Sequence, residues 1–417
     1  MIGLFVYLYI ETIVVSYTPM IISILVFLIL LSILVLIHEL GHFIVARKLG
    51  IKVEEFGFGF PPKLWSIRRG ETEYSINWLP IGGFVKLYGE DEAGAGRVST
   101  GRQKEIIKDK DRAFFSKTPW QRAAVVVAGV VMNAVLAIVI FYVFLIVSNF
   151  KVELPLLSSH QFLLVNQKTI SDVIVTAVAK NSPAEKAGIK PYVKIIEVNG
   201  ERVPTTKEFT TIVNKNKGKE VTVVWQDIHT KKKSRAVIVP RVSPPPNQGA
   251  IGVAFVPVDT VMLSYDTPLQ KILSGIVHPV NLMMYNFDVL GDFIKVSIEK
   301  KTTEPLSQSV SGPVGIYSLV GKLVEIPDMK EKILQILNLA GILSISLAFF
   351  NILHIPALDG GRLFFILIEA VTGKKVNQRF ESTVHTVGMV VLLGFLLFIT
   401  ISDVQKLFFN ALPSLTP

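Results

Sequence analysis

Two histidines and a glutamate lie close together near the end of a long apolar stretch. His38, Glu39 and His42 form the motif His-Glu-Leu-Gly-His, and residues 21–37 before it are mostly Ile, Leu and Val. Residues four apart share one face of a helix, so both imidazoles can reach one zinc ion while the Glu39 carboxylate handles the protons of a water molecule. The pattern predicts hydrolytic chemistry inside a membrane.

The position of this motif favours a metal site over a chance match. Ionisable side chains are costly inside a membrane and usually serve a function there, and a bound cation would compensate them. A pair of purely structural histidines is the competing interpretation. A zinc site for hydrolysis normally has three protein ligands and water. Because the chain contains no Cys, the third ligand must be a His, Asp or Glu.

A second polar segment ends another apolar stretch, which begins near Ile336. It reads Asn-Ile-Leu-His-Ile-Pro-Ala-Leu-Asp-Gly-Gly over residues 351–361. With the first motif it resembles the site-2 protease family of intramembrane zinc metalloproteases, especially the bacterial branch that contains the sigma-E-regulating protease. That family pairs HExxH with Asn-x-x-Pro-x-Pro-x-Leu-Asp-Gly, whose Asp completes the zinc site. The resemblance implies that Asp359 is the third ligand and that Asn351 and Pro356 hold the substrate backbone. His354 replaces a usual Pro, outside the ligand set.

Further family-like segments follow in the expected order. They are residues 57–60, residues 128–133, a PDZ-like block and residues 311–316. In the second of these, Val130 stands where the family commonly has Pro, so Gly129 and Asn133 alone carry the match. These two residues also have an ordinary explanation, which is close helix packing with an interhelical hydrogen bond.

Composition and hydropathy predict a polytopic α-helical membrane protein with a soluble module. The 417 residues are 50% hydrophobic yet 18% charged, which is too many charges for a pure membrane bundle. Four segments meet the roughly 17 to 25 residues that a spanning helix needs: 21–46, 123–147, 336–353 and 384–401. Polar residues and Pro279 interrupt the stretch 272–296, which we interpret as interfacial amphipathic helices.

The predicted organisation follows from these segments. It comprises an N-terminal extension (1–20), a first transmembrane helix with HExxH (21–48), a membrane-associated β region (49–92), a flexible cytoplasmic loop (93–118), a second transmembrane helix (119–148), a PDZ-like domain (166–241), a linker with interfacial amphipathic helices (242–332), and a third and a fourth transmembrane helix (333–361 and 383–403). No Lys or Arg opens the extension, unlike a secretory signal. We favour translation from Met20 over Met1.

Alternating residues between the first two spans predict β structure. Phe56, Phe58 and Phe60 alternate with Gly, and residues 74–78 alternate after a turn at Gly70. In the family, such hairpins dip into the membrane beside the zinc. A free β edge could hold an unwound substrate strand by main-chain hydrogen bonds. The alternative is a simple cytoplasmic hairpin domain.

Residues 172–239 predict one compact α+β block that resembles a PDZ domain. Its signatures are a short helix after Ser182 and a two-residue turn at Asn199 and Gly200. Tyr192 and Val193 replace the Gly-Asp that often precedes the next strand. In the family this domain lies outside the membrane, where it either excludes bulky substrates or docks substrates, and both possibilities stay open.

Basic residues predict the orientation in the membrane. They lie after the first span, before the second, and between the third and fourth: Arg47, Lys48, Lys52, Lys110, Arg112, Lys117, Arg122, Arg362, Lys374, Lys375 and Arg379. Cytoplasmic loops are rich in Lys and Arg, so both termini and the PDZ-like domain face outward across a bacterial inner membrane. From residue 21 to His38 a helix rises about 26 Å in a hydrocarbon core about 30 Å thick, which places the metal near the cytoplasmic face. Topology thus accounts for the net charge of +10 without a nucleic-acid partner.

The predicted function is regulated intramembrane proteolysis of single-pass membrane proteins in the lipid bilayer. The substrate would be an anti-sigma-type regulator or signal-peptide remnants. His38, His42 and Asp359 would hold Zn²⁺, and Glu39 would accept the proton of water and pass it to the leaving amine. Two alternatives are a catalytically silent PDZ scaffold with structural zinc and a divalent-metal transporter. The intact Glu39 argues against the first, and the lack of an obvious repeat argues against the second. The sequence indicates neither the oligomeric state nor an oxyanion donor.

Overall fold

A computed structural model describes residues 2–90, 109–228, 232–246, 248–302 and 310–411. The chain divides into two compact units. The helical unit comprises Met1–Val147 and Ser274–Pro417, and the β unit comprises Ser148–Leu273.

The elements in chain order are α1 (Ile2–Lys48), β1 (Val53–Arg69), β2 (Thr72–Leu87), α2 (Pro119–Val147), β3 (Lys151–Pro155), β4 (Asn166–Val178), α3 (Pro183–Lys186), β5 (Val193–Val198), β6 (Glu201–Arg202), α4 (Thr206–Lys215), β7 (Val221–Asp227), β8 (Lys233–Ile238), β9 (Val253–Ser264), α5 (Pro268–Lys300), α6 (Pro313–Val324), α7 (Met329–Ile352), α8 (Asp359–Thr372) and α9 (Gln378–Ala411). Two short 3-10 turns, Lys110–Arg112 and Phe114–Ser116, precede α2.

Within the described residues, four helices are long and apolar enough to cross a membrane. They are Met20–Lys48, Pro119–Val147, Met329–Ile352 and Gln378–Lys406. These are the four segments that the sequence predicted, with ends that differ by up to seven residues. The third begins earlier than its apolar stretch because the Asp328 side chain accepts the Glu331 N–H at 2.7 Å and caps a polar first turn. Hydropathy does not detect such a turn.

Small residues bring the spanning helices together. A Cβ on Gly41 of α1 would lie 2.6 Å from the carbonyl carbon of Ala128 in α2. A Cβ on Gly341 of α7 would lie 2.7 Å from the ring of Phe141 in α2. Ser344 of α7 also donates a hydrogen bond to the Asn133 carbonyl of α2 at 2.8 Å. Helix α2 therefore packs between α1 and α7 at close range, as small residues allow in membrane bundles.

The two strands β1 and β2 bend so that they form four antiparallel segments. Residues 53–58 pair with 83–87 on one side and with 73–76 on the other, and residues 65–69 pair with 72–76. The predicted β structure and the turn at Gly70, which has φ of 62°, are both present. Segments 83–87 and 65–69 form the two edges. The bend exposes several large apolar side chains, Phe60, Leu64, Trp65, Trp78 and Leu79.

The expected flexible loop of residues 93–118 lies outside the described residues as far as 108. Residues 109–118 are described, and backbone hydrogen bonds join them to the segments around β1 and β2. Phe114 is buried and its N–H donates to the Tyr88 carbonyl at 2.8 Å, and Lys52 donates its N–H to the Arg112 carbonyl at 3.1 Å. The polar composition of this stretch concealed one buried aromatic residue that anchors it.

The stretch expected to form interfacial helices is one continuous helix, α5, with Pro279 inside it. Its polar residues Ser274, His278 and Asn281 are buried. The His278 ring lies 5.1 Å from the Phe141 ring, and burial lowers the pKa of His278 to about 4, so this imidazole is neutral. The polar residues do not interrupt the helix because they lie on its packed face.

The β unit contains a seven-stranded sheet in the order β3-β9-β4-β5-β7-β8, with β6 beside β5. Asn199 and Gly200 have φ of 54° and 82° and join β5 to β6 as the predicted two-residue turn. Ser182 caps α3 by accepting the Glu185 N–H at 3.1 Å. The sheet extends beyond the predicted 166–241 because β9 pairs with β4 along its length, a long-range contact with no local signal.

Candidate metal centre

Three ligand atoms from two distant helices meet in the helical unit. His38 and His42 lie near the end of α1, and Asp359 is the first residue of α8. The Oδ2 atom of Asp359 lies 2.9 Å from His38 Nε2 and 3.2 Å from His42 Nε2. The two Nε2 atoms are 3.2 Å apart. The structure therefore brings together the three residues that the sequence predicted as ligands.

The arrangement fits a tetrahedral zinc ion. Zinc–ligand distances of about 2.0–2.1 Å separate neighbouring ligand atoms by about 3.3 Å, close to all three distances here. Asp359 Oδ2 is buried and makes no geometrically acceptable hydrogen bond within the described residues, so it approaches the imidazoles as a ligand would. Two Nε2 lone pairs and a carboxylate oxygen at this range repel one another unless a cation lies between them.

A backbone carbonyl of α2 fixes the orientation of the His42 ring. His42 Nδ1 lies 2.8 Å from the Val125 carbonyl oxygen of α2. A carbonyl only accepts, so Nδ1 carries a proton, and in the neutral ring Nε2 then carries the lone pair. Such a partner orients the ring and selects the tautomer that can bind a metal.

Helix α2 also provides the space for both rings. A Cβ on Gly129 would lie 2.7 Å from His42 Cε1 and 2.8 Å from His38 Cε1. Asn133 is completely buried, and its amide nitrogen lies 3.5 Å from His38 Nδ1. The sequence predicted that Gly129 allows close helix packing and that Asn133 makes an interhelical hydrogen bond. In the structure both residues contact the imidazoles of α1.

A short loop positions Asp359. Helix α7 ends at Ile352, and Ala357 has φ of 78°, which turns the chain into α8. The Ala357 N–H donates to His385 Nδ1 of α9 at 3.0 Å. A Cβ on Gly361 would lie 2.6 Å from the Ile355 carbonyl oxygen, so the residues after Asp359 must be small. His385 belongs to no predicted motif, and its only signal in the sequence is that it is a histidine in the fourth apolar segment.

Glu39 lies beside the ligands and contacts the edge of the bent sheet. Its Oε2 accepts the Val85 N–H at 3.0 Å. Val85 belongs to the edge segment 83–87, and because its N–H donates to Glu39, this N–H points away from the sheet. Glu39, His42 and Asp359 line a cavity of about 140 Å³ with Val85 and Arg362.

Ion pairs hold both ends of α8. Near its start, Arg362 Nη2 lies 2.7 Å from Glu90 Oε1, and near its end Glu369 Oε1 lies 2.6 Å from Arg122 Nη2. Burial alone would lower the pKa of Arg362, but the Glu90 carboxylate holds it above its ordinary value. These pairs fix the helix whose first residue is Asp359, and the sequence alone did not reveal them.

Asn351 and Pro356 flank this loop. Asn351 lies in the last turn of α7 and is partly buried. Pro356 packs against α9, where a Cβ on Gly388 would lie 3.0 Å from its carbonyl carbon. His354 contacts the Phe364 ring, at 5.5 Å between centroids. A role for Asn351 and Pro356 toward substrate stays a prediction.

Comparison with known proteins identifies the family. The model for peptidase family M50 matches residues 26–395. The "Putative zinc metalloprotease CPE1693" of Clostridium perfringens is 33% identical over 373 residues, covering 89% of this chain and 96% of that protein. The regulator of sigma-W protease RasP of Bacillus subtilis is 27% identical, covering 93% of this chain and 99% of that protein. The zinc metalloprotease RasP of Geobacillus kaustophilus is 29% identical with 93% and 98% coverage.

Among solved structures, the PDZ domain of an SdrC-like protein from Listeria monocytogenes matches 20% of this chain and 86% of that chain. It does so at 24% identity and a TM-score of 0.18, so this match does not establish the fold of the β unit. The family match covers most of the chain, includes both halves of the metal centre, and reaches all four apolar helices of the described residues, of which the first and the last extend beyond it. The chain therefore belongs to peptidase family M50 and is a multi-pass membrane zinc metalloprotease.

Proposed function

We propose that this protein hydrolyses peptide bonds within the transmembrane segments of single-pass membrane proteins. One observation carries the proposal: His38, His42 and Asp359 converge beside the Glu39 carboxylate at the end of a helix that is long and apolar enough to span a membrane. An enzyme that cleaves soluble substrates would not need its catalytic motif at the end of such a helix. Membership of family M50 also favours proteolysis over the silent scaffold and the transporter.

Each residue of the centre has a distinct role in this proposal. His38, His42 and Asp359 would hold Zn²⁺, which when bound would polarise the scissile carbonyl and lower the pKa of water. Glu39 accepts the proton of the attacking water and delivers it to the leaving amine. The Val85 N–H orients the Glu39 carboxylate through the 3.0 Å hydrogen bond.

The edge segment 83–87 supports a mode of substrate binding. A peptide bond in a helix is closed to attack, so the substrate must unwind, and its backbone groups then need partners. The outward-facing Val85 N–H shows that this edge lies beside Glu39. Because this N–H already donates to Glu39, a substrate strand added here would pair with the other outward-facing backbone groups of residues 83–87, which would bring its scissile bond to the metal centre. Asn351 and Pro356, on the segment that leads to Asp359, would hold the other side of that strand.

The surroundings of the centre support a location in the membrane. The bend of the β1–β2 sheet exposes Phe60, Trp65 and Trp78, and such side chains favour the membrane interface. We propose that this sheet is membrane-associated, that the centre lies near the cytoplasmic face of a bacterial inner membrane, and that the β unit is an extracytoplasmic PDZ-like domain. The distribution of basic residues carries this orientation.

The substrate class follows by analogy with a relative. The Bacillus subtilis protein is named as the regulator of sigma-W protease. By that analogy we propose an anti-sigma-type membrane regulator as substrate, with signal-peptide remnants as a second class. The β unit would either exclude substrates with bulky ectodomains or dock them.

Purified full-length protein in detergent tests the proposal. We expect about one zinc per chain and cleavage of a transmembrane peptide, measured by mass spectrometry. Glu39→Gln should abolish cleavage and leave zinc content unchanged, because it removes a base and no ligand. Glu208→Gln, on the exposed side of α4, is the matched control and should keep full activity. Equal turnover by Glu39→Gln and the unaltered protein would refute the mechanism.

A further inference from the structure

Asn133 is a buried polar side chain that the mechanism above does not use. It lies on α2, is completely buried, and places its amide nitrogen 3.5 Å from His38 Nδ1. Its Oδ1 makes no hydrogen bond to any described residue. A buried amide whose oxygen has no partner and whose nitrogen has only one long contact is costly, so this position calls for an explanation.

The tautomer of His38 supplies that explanation. His38 Nε2 converges with His42 Nε2 and Asp359 Oδ2, so Nε2 must carry a lone pair to bind a metal. The proton of the neutral imidazole then lies on Nδ1 and needs an acceptor. An amide with its oxygen and nitrogen exchanged occupies the same space, so the Asn133 oxygen can take the position beside Nδ1.

The spacing of residues along α2 supports this assignment. Val125, Gly129 and Asn133 are four residues apart and therefore lie on one face of the helix. Val125 presents its carbonyl to His42 Nδ1 at 2.8 Å, Gly129 leaves room for both rings, and Asn133 reaches His38. The two histidines, one turn apart on α1, thus meet one stripe of α2 in reverse chain order: His42 lies at Val125, His38 lies at Asn133, and both rings lie at Gly129.

We propose that Asn133 is a positioning residue that accepts the Nδ1–H of His38 and so selects the metal-binding tautomer, as the Val125 carbonyl does for His42. The contact of 3.5 Å is longer than a typical N–H···O hydrogen bond of about 2.9–3.0 Å. Donation of the Nε2 lone pair to a cation makes the Nδ1–H more polar, so the interaction strengthens when metal binds. The inference rests on the proposed role of His38 as a ligand.

The test measures zinc affinity of the full-length protein in detergent by competition with a chelator. Asn133→Leu keeps a similar volume and removes the acceptor, and we expect zinc binding to weaken about 10- to 100-fold. Asn133→Asp keeps an acceptor and loses the amide donor, so it should retain the affinity within about threefold. Ser344→Ala is the matched control. It removes the 2.8 Å hydrogen bond to the Asn133 carbonyl and should also stay within about threefold.

The outcomes separate positioning from packing. Zinc affinity unchanged in Asn133→Leu would overturn the proposal. An Asn133→Asp variant as weak as Asn133→Leu would also overturn it, because an acceptor would then not suffice. If Asn133→Leu does not fold, Asn133→Asp decides alone. A loss in Ser344→Ala equal to that in Asn133→Leu would assign the effect to helix packing. Since zinc affinity is measured without substrate, failure here is distinguishable from failure of the unaltered protein to cleave peptides.

Discussion

Single residues of this centre are placed by close backbone contacts as much as by their own helices. Asp359 begins α8, and the glycines after it lie against the carbonyl groups of the preceding loop. The Asp359 carboxylate reaches two imidazoles that lie more than three hundred residues earlier in the chain. Because zinc sites for hydrolysis have only three protein ligands, each one has a large effect on affinity.

Removal of the Asp359 carboxylate should therefore lower both zinc occupancy and proteolytic activity. We expect Asp359→Ala to lower zinc occupancy and peptide cleavage together, measured by metal analysis and mass spectrometry. Asp292→Ala, at an exposed position of α5, is the control and should retain both. Unchanged zinc occupancy in Asp359→Ala would mean that another carboxylate is the third ligand.

Gly129 gives a second prediction at this scale. A Cβ there would approach both imidazoles below 3.0 Å, so Gly129→Ala must displace them. We expect a loss of zinc affinity of about tenfold or more, measured by chelator competition. Gly394→Ala on α9 has nothing within 4 Å of the new Cβ and should leave affinity unchanged. Equal affinities for the two variants would show that the bundle relaxes around Gly129 without moving the histidines.

Among the elements, α8 and the edge of the bent sheet determine the geometry of the centre. Helix α8 is held at its start by Arg362 and Glu90, and at its end by Glu369 and Arg122. Glu90 also accepts the Leu87 N–H at 3.3 Å, so it links α8 to the edge segment 83–87. Elsewhere in the helical unit, the Asp403 carboxylate of α9 accepts the N–H groups of Gly312 and Gly315 and caps α6.

The ion pair between Arg362 and Glu90 should contribute more to the free energy of unfolding than an exposed ion pair does. We expect Glu90→Gln to lower the free energy of unfolding by about 3 kcal/mol, because it leaves a mostly buried guanidinium unpaired. Glu71→Gln breaks the exposed pair with Arg112 and should cost less than about 1 kcal/mol. Denaturant unfolding in detergent measures both. Similar small losses would show that solvent reaches Arg362 and screens it.

At the scale of the whole molecule, the candidate metal centre lies in one compact unit, and a second compact unit has its own core. The metal centre and all four apolar helices that the described residues contain lie in the helical unit, whereas Ser148–Leu273 forms a β unit with its own core. That core is built from side chains of β4, β5, β7 and the helix α4, such as Val173, Ile195, Val223 and Phe209. None of the three candidate ligands lies in residues 148–273, so the β unit can be replaced without removing a ligand.

Replacement of Ser148–Leu273 by a flexible linker tests that division. If the β unit filters substrates, a short transmembrane substrate should be cleaved at nearly the same rate, and substrates with intact folded ectodomains should become cleavable. Cleavage in vesicles, followed by mass spectrometry, measures both, and zinc content serves as the folding control. Loss of cleavage of the short substrate in a zinc-loaded variant would show that the unit docks substrate instead.

Much of this protein is determined by local patterns in its sequence. His38, Glu39 and His42 are four residues apart or closer, so helical periodicity alone places them on one face of an apolar segment. The four spanning segments and the Asn199–Gly200 turn are likewise local, because hydropathy and left-handed backbone preference need no distant partner. Asp359 was found through resemblance to a family, since no periodicity links it to the histidines.

Only the tertiary structure decided the contacts between distant parts of the chain. The stripe of Val125, Gly129 and Asn133 acquires its role because α2 happens to face the imidazoles. The same holds for His385 beside Ala357 and for Glu90 beside Arg362. The continuity of α5 and the pairing of β9 with β4 also depend on packing. The sequence does not tell whether a polar residue is buried against a partner or exposed to solvent. Only the packing of distant segments distinguishes the two cases.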